Sequence, residues 1–166
     1  MYYEKVIAEL NKSGVRYLVA GGTAIVLHGI VRMTADLDIM VSLDKKNVEK
    51  LVASIEKLGY TPKAPVKAID LADPEKRALW MREKGMKVFS FFEKKMPIHM
   101  VDVFVYEPID FEGAYGRRKI VDAGGLRIPV VSLDDLERMK AIAGREMDLA
   151  DIKSIRELKK IRKDGN

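Results

Sequence analysis

The sequence predicts an α+β domain with helices covering one face of a mixed sheet, and three observations carry that expectation. Helical and strand periodicities alternate along the chain. Hairpin-like strand pairs occur twice, around residues 93–97 and around Gly124-Gly125. The length fits as well, since 166 residues at 48% hydrophobic content suffice for one compact domain with a proper core.

Taken in order, the pattern opens with a helix over residues 2–13, closed by Gly14, and a strand over 15–20. Gly21-Gly22 turns the chain into a short helix over 23–28 with Thr23 at its N-cap. A strand at 36–42 follows. Val48, Leu51, Val52, Ile55 and Leu58 then mark one face of a helix over 44–58 that Gly59 stops. Residues 61–73, with Pro62 and Pro65, read as an irregular connection, and Pro74 suits the first turn of a helix ending near residue 84. Strands at 86–92 and 98–106 make the first hairpin, and 117–122 and 126–131 the second. Helices at 132–143, capped by Ser132, and at 148–162 complete the pattern.

Composition excludes several classes of function. Without cysteine there is no disulfide, zinc–thiolate site or cysteine nucleophile, and two histidines, His28 and His99, do not build a histidine-rich metal site. His28 reads as the packed end of a short helix, His99 as a flank of the site, and Trp80 as a packing residue. No apolar run approaches a membrane span of about 20 residues. Met1-Tyr2-Tyr3-Glu4-Lys5 lacks the layout of a signal peptide, so a cytoplasmic protein is the expectation. The net charge of +5 and pI near 9.3 suit acidic partners such as nucleotides or RNA. Charged residues of both signs, 33% of the chain, equally suit a surface ion-pair network.

The residues that speak to chemistry are three aspartates. Successive strand side chains point to opposite faces, so Asp36 and Asp38 share one face while Leu37, Ile39 and Val41 take the other. Asp102 alternates in the same way with Val101, Val103 and Val105. If the two strands are neighbours, three carboxylates converge, and like charges so placed raise one another's pKa unless a cation lies between them. Carboxylate ligands suit a hard divalent ion such as Mg²⁺.

Gly21-Gly22, thirteen intervening residues, Asp36-Leu37-Asp38 and a lone strand aspartate, Asp102, resemble the signature of the DNA polymerase β-like nucleotidyltransferase superfamily. The resemblance implies a nucleotidyltransferase core over 1–131 with a helical extension, 132–166, packed on it. It also implies transfer of a nucleoside monophosphate from an NTP to a hydroxyl with release of pyrophosphate. Asp36 and Asp38 would hold two Mg²⁺ ions, with Mn²⁺ an alternative, and Asp102 would share the ion that activates the hydroxyl. Two metals so held stabilise both the attacking and the leaving oxygen. Gly21 and Gly22, followed by Thr23, would let backbone N–H groups approach the triphosphate, and Arg32 and Thr34 would contact phosphate oxygens.

A second segment, Lys140, Arg145 and Asp148-Leu149-Ala150-Asp151, resembles part of the abortive-infection nucleotidyltransferase toxins and their small relatives. That resemblance implies nucleotide-binding or catalytic roles for Lys140 and Asp148, with Arg145 behind them, and a place in a toxin–antitoxin system. Arg145 and Asp148, three residues apart, also fit an ordinary helix ion pair. RNA ends, a protein hydroxyl and a small molecule all fit as acceptor, and a partner protein or a homo-oligomer would add acceptor-binding surface. Two other readings remain: a catalytically weak nucleotide-binding or protein-interaction module, and an RNA-binding protein using Lys153, Arg156, Lys159, Lys160, Arg162 and Lys163.

Overall fold

A computed structural model of the chain describes residues 3–164. Its elements run α1 (Glu4–Lys12), β1 (Tyr17–Val19), α2 (Gly21–Leu27), β2 (Leu37–Val41), α3 (Lys45–Lys57) and β3 (Tyr60–Pro62). A 3-10 turn (Ala68–Ala72) leads to α4 (Pro74–Lys84), β4 (Val88–Glu93), β5 (Met96–Phe104) and α5 (Phe111–Gly116). The chain closes with β6 (Lys119–Ala123), β7 (Leu126–Val130), α6 (Leu133–Ala143) and α7 (Glu146–Asp164). The start expected for the first helix, residue 2, lies outside the described residues.

Seven strands form one mixed sheet in the order β3-β4-β5-β2-β1-β7-β6. The pairs β2–β5 and β1–β7 are parallel and the other four antiparallel. Alternation sorts the central strands. Leu37, Ile39, Val101 and Val103 are fully buried in one core, which also takes Val48, Leu51 and Ile55 from α3 and Ile7 and Leu10 from α1. Leu136, Met139 and Ile155 bring α6 and α7 into the same core. Asp44 caps α3 by accepting from Asn47 N–H at 3.1 Å. The Asn47 amide then binds the backbone of Arg16 (2.7 and 3.0 Å) and the carbonyl of Ser42 (2.8 Å), tying α3 to the ends of β1 and β2.

Four local expectations change. Thr23 is not an N-cap: α2 begins at Gly21, and the Thr23 hydroxyl instead donates to the Asp36 carbonyl at 2.9 Å. Asp36 sits one residue before β2 and not within it. The connection at 61–73 contains the end of β3 and the 3-10 turn, and 111–116 forms a helix. Each missed element is three to six residues long, too short to display a period.

Candidate active site

The parallel pairing of β2 with β5 sets Leu37, Asp38 and Ile39 opposite Val101, Asp102 and Val103. Asp38 and Asp102 are therefore side-by-side register partners on one face. Burial, then the charges of Asp102 and Asp36, raise the Asp38 carboxyl to about 6, with Lys140 and a hydrogen bond from Gly22 N–H pulling the other way. Burial and Asp102 also raise Asp36, against the opposing charge of Lys63. The three aspartates thus share one electrostatic environment.

The glycine pair is explained by what lies against it. Gly21 has φ +58°, and a Cβ there would overlap the Asp38 carboxylate. A Cβ on Gly22 would collide with Arg32 Nη1 and lie 2.6 Å from Thr34 Oγ1. The absence of both side chains lets Asp38 close on one glycine and Arg32 and Thr34 on the next. Gly21, Gly22, Arg32, Thr34 and Asp38 therefore form one contact set where α2 begins.

Arg32 links that set to the last two helices. Its Nε donates to Asp151 Oδ1 at 2.9 Å, and Lys140 Nζ lies 2.7 Å from Asp151 Oδ2 and 3.0 Å from Asp148 Oδ1. Asp148 further accepts from Arg145 N (3.1 Å) and Arg145 Nε (2.7 Å). Lys140, Asp148 and Asp151 are all buried. Burial alone would push Asp148 up, but the bonds from Arg145 and Lys140 outweigh it and hold the carboxyl down at about 2. Its oxygens are thus committed to Lys140 and to Arg145, which lies just ahead of α7. Lys140 and Arg145 remain close enough for Asp38 to act on them electrostatically. Asp151 and Lys63 are the residues near the carboxylates that the sequence reading did not assign. The Asp-x-x-Asp spacing pointed toward Asp151, whereas nothing marked Lys63.

The histidines lie where the reading set them. His28 ends α2, buried, with Nε2 donating to the Val131 carbonyl at 2.8 Å. His99 is buried beside Tyr3, with ring centroids 6.1 Å apart. Trp80 packs on Phe89, 5.4 Å between centroids. On the basic helix, Arg156 pairs with Glu137 (2.7 Å), Lys159 with Glu137 (2.6 Å), and Arg162 donates to the His28 carbonyl (2.8 Å). Half of that basic strip thereby holds α7 in place.

Among the described residues, no group of three or more His, Cys, Asp or Glu is arranged as a ready metal cage. Two observations nevertheless fit a divalent cation between β2 and β5. Asp102 Oδ1 is buried without a hydrogen-bond partner. The charges of Asp36 and Asp102 raise Asp38, and that of Asp102 raises Asp36, repulsion that a cation would relieve.

This fold, with a helix opening on two glycines beside paired strand carboxylates, defines a nucleotidyltransferase. The chain belongs to the family described as nucleotidyltransferase of unknown function (DUF6036), which it matches over residues 4–162. No curated protein matches it in sequence. Among solved structures it is similar to the lincosamide antibiotic adenylyltransferase LnuA with lincomycin bound, at 15% identity and a TM-score of 0.57 over 92% of this chain and 93% of that one. The antibiotic-resistance factor ANT(2″)-Ia superposes with a TM-score of 0.58 at 17% identity, over 93% of this chain and 78% of that one. An antigenic nucleotidyltransferase-like protein from Paracoccidioides brasiliensis gives 0.59 at 15% identity, over 93% and 73% respectively. At these identities the likeness is one of fold. No helix among the described residues is long and apolar enough to cross a membrane.

Proposed function

We propose that the chain transfers a nucleoside monophosphate from an NTP to a hydroxyl acceptor, with Mg²⁺ as cofactor. The observation that carries this reading is the register pairing of Asp38 with Asp102 beside the Gly21-Gly22 start of α2. The acceptor oxygen attacks the α-phosphorus, the bond from that phosphorus to the bridging oxygen breaks, and pyrophosphate leaves with the electron pair. Asp102, whose Oδ1 has no other partner, takes the hydroxyl proton. Gly22 N–H, now bonded to Asp38, and Arg32 and Thr34 beside it bind phosphate oxygens at the start of α2. Asp36, Asp38 and Asp102 would hold the metal, which supplies charge stabilisation to the transferring phosphoryl group and lowers the pKa of the hydroxyl. Lys140 and Arg145 face the same carboxylates from the helical extension, so residues 132–166 complete a site whose core is 1–131.

A partner protein, as in a toxin–antitoxin pair, belongs to the same proposal and rests on the resemblance of the 140–151 segment. The test is a calorimetric titration with ATP, GTP, CTP and UTP, with and without Mg²⁺, on wild type and Asp38→Asn, alongside pyrophosphate release. Metal-dependent binding by the wild type, lost in the variant, is expected. Binding with no pyrophosphate release for any acceptor would make the chain a nucleotide-binding module instead.

A further inference from the structure

The carboxylate face carries one cation that neither motif supplies. Thr61 pairs with Phe92, and Lys63 N–H continues the ladder by donating to the Ser90 carbonyl at 2.9 Å. Ser90 pairs with Asp102, which pairs with Asp38. Register partners point to the same face, so Lys63, Ser90, Asp102 and Asp38 form one row across four strands' width. The Lys63 side chain crosses to the neighbouring row of the same face, that of Thr61, Phe92 and Met100. Its Nζ lies 3.8 Å from the sulfur of Met100, two residues before Asp102 on the same face, and its charge reaches Asp36.

Three other lysines are committed: Lys57 pairs with Glu9 at 2.7 Å, Lys76 with Asp70 at 2.6 Å, and Lys140 with two aspartates. Lys63 is exposed and forms no ion pair among the described residues, and a thioether is only a weak acceptor for an ammonium. Pro62 and Pro65 on either side limit the backbone, so the cation is presented from a stiffened segment.

Its position also says which substrate it serves. The phosphate-facing glycines follow β1, two strand spacings, or about 10 Å, from β5, where the Lys63 amine ends. Lys63 is therefore on the Asp102 side, across the carboxylates from the NTP. We infer that Lys63 binds a phosphate of the acceptor, so that the hydroxyl substrate is a phosphorylated molecule with its phosphate near the accepting hydroxyl. The inference rests on the nucleotidyl-transfer reading and adds the chemical class of its second substrate.

Two probes separate the sources of such a phosphate: a fluorescein-labelled hexaribonucleotide with a free 3′ hydroxyl, and glycerol 3-phosphate. Equilibrium binding of each is measured in Mg²⁺ with a non-hydrolysable NTP analogue, on wild type, Lys63→Ala, Lys63→Arg and, as a distant control at the start of α3, Lys46→Ala. At least one probe should bind, its Kd rising about five- to tenfold in Lys63→Ala, as expected for one charge-assisted contact at a partly exposed site. Lys63→Arg should recover most of the affinity, Lys46→Ala should match wild type, and analogue affinity should be the same in all four. Binding of the hexaribonucleotide alone identifies an RNA end, and binding of glycerol 3-phosphate a small phosphorylated acceptor. Binding by neither probe, or binding indifferent to Lys63, overturns the inference. Failure of the wild type to bind the NTP analogue would instead strike the transfer reading itself.

Discussion

Replacing Asp38 with asparagine should make the metal-free protein more stable, and only above about pH 4. In the folded chain the carboxyl is raised from 3.8 to about 6 by burial and by Asp102 and Asp36. Each pKa unit corresponds to about 1.4 kcal/mol, so the ionised form is disfavoured by about 3 kcal/mol relative to the unfolded chain. Because the folded state holds the proton more tightly, stability is full below about pH 4. It falls as pH rises through 6 and is then flat. The variant carries no charge to desolvate or repel and keeps an oxygen for Gly22 N–H. Wild type and Asp38→Asn should therefore match near pH 4 and diverge to about 2–3 kcal/mol by pH 7.5, the variant the more stable. In urea, with EDTA present, that is a midpoint higher by about 1 M. His28 and the titrating groups away from the three aspartates are common to both proteins and cancel in the difference. A difference that does not change with pH, or a variant weaker at both ends, would show that Asp38 is not held against its neighbours as described.

Three further outcomes test other parts of the structure. Gly21→Ala should lose about 1–2 kcal/mol from its left-handed backbone and also displace Asp38, abolishing NTP-dependent pyrophosphate release. Gly29→Ala, at φ +97° with open space around it, should lose stability alone, and equal activities in the two would refute the steric argument. Asp148→Ala should lower stability by about 1–3 kcal/mol without any nucleotide, because buried Lys140 loses one of its two carboxylates and keeps only Asp151. With the Asp148 carboxyl held at about 2, its contribution is present above about pH 4 and lost as pH falls toward 2, which acid unfolding of wild type against the variant reads directly. Asn47→Ala removes bonds to Arg16 and Ser42 and should cost about 2–3 kcal/mol in urea unfolding.

Most of the sheet was legible because its central strands alternate so regularly. Leu37-Asp38-Ile39 and Val101-Asp102-Val103 declare their faces, and the cap Ser132 and the stop Gly59 mark helix ends locally. What stayed hidden depends on neighbours distant in sequence. That Asp38 pairs with Asp102 in parallel, residue for residue, is a property of the sheet and not of either strand. Thr23 has the chemistry of a cap, yet its hydroxyl is taken by the Asp36 carbonyl. The Lys140 link to Asp148 and Asp151 crosses the Gly144 break between two helices, where no single helical period extends. Lys63, an exposed lysine between prolines, has no pattern of its own and acquires meaning only from the row of strands it joins.

The parallel pairing of β2 with β5 also has a consequence for how the chain reaches its native state. Asp102 follows Asp38 by 64 residues, and every β2–β5 contact closes a loop of about that size. The helix pair that brings Lys140 and Arg145 arrives later still in the chain. In a growing polypeptide the aspartates meet with neither Lys140 nor Arg145 yet in place, so their junction is both long-range and repulsive. Assembly of the β2–β5 seam should therefore be a late event, with the β4–β5 and β6–β7 hairpins formed ahead of it.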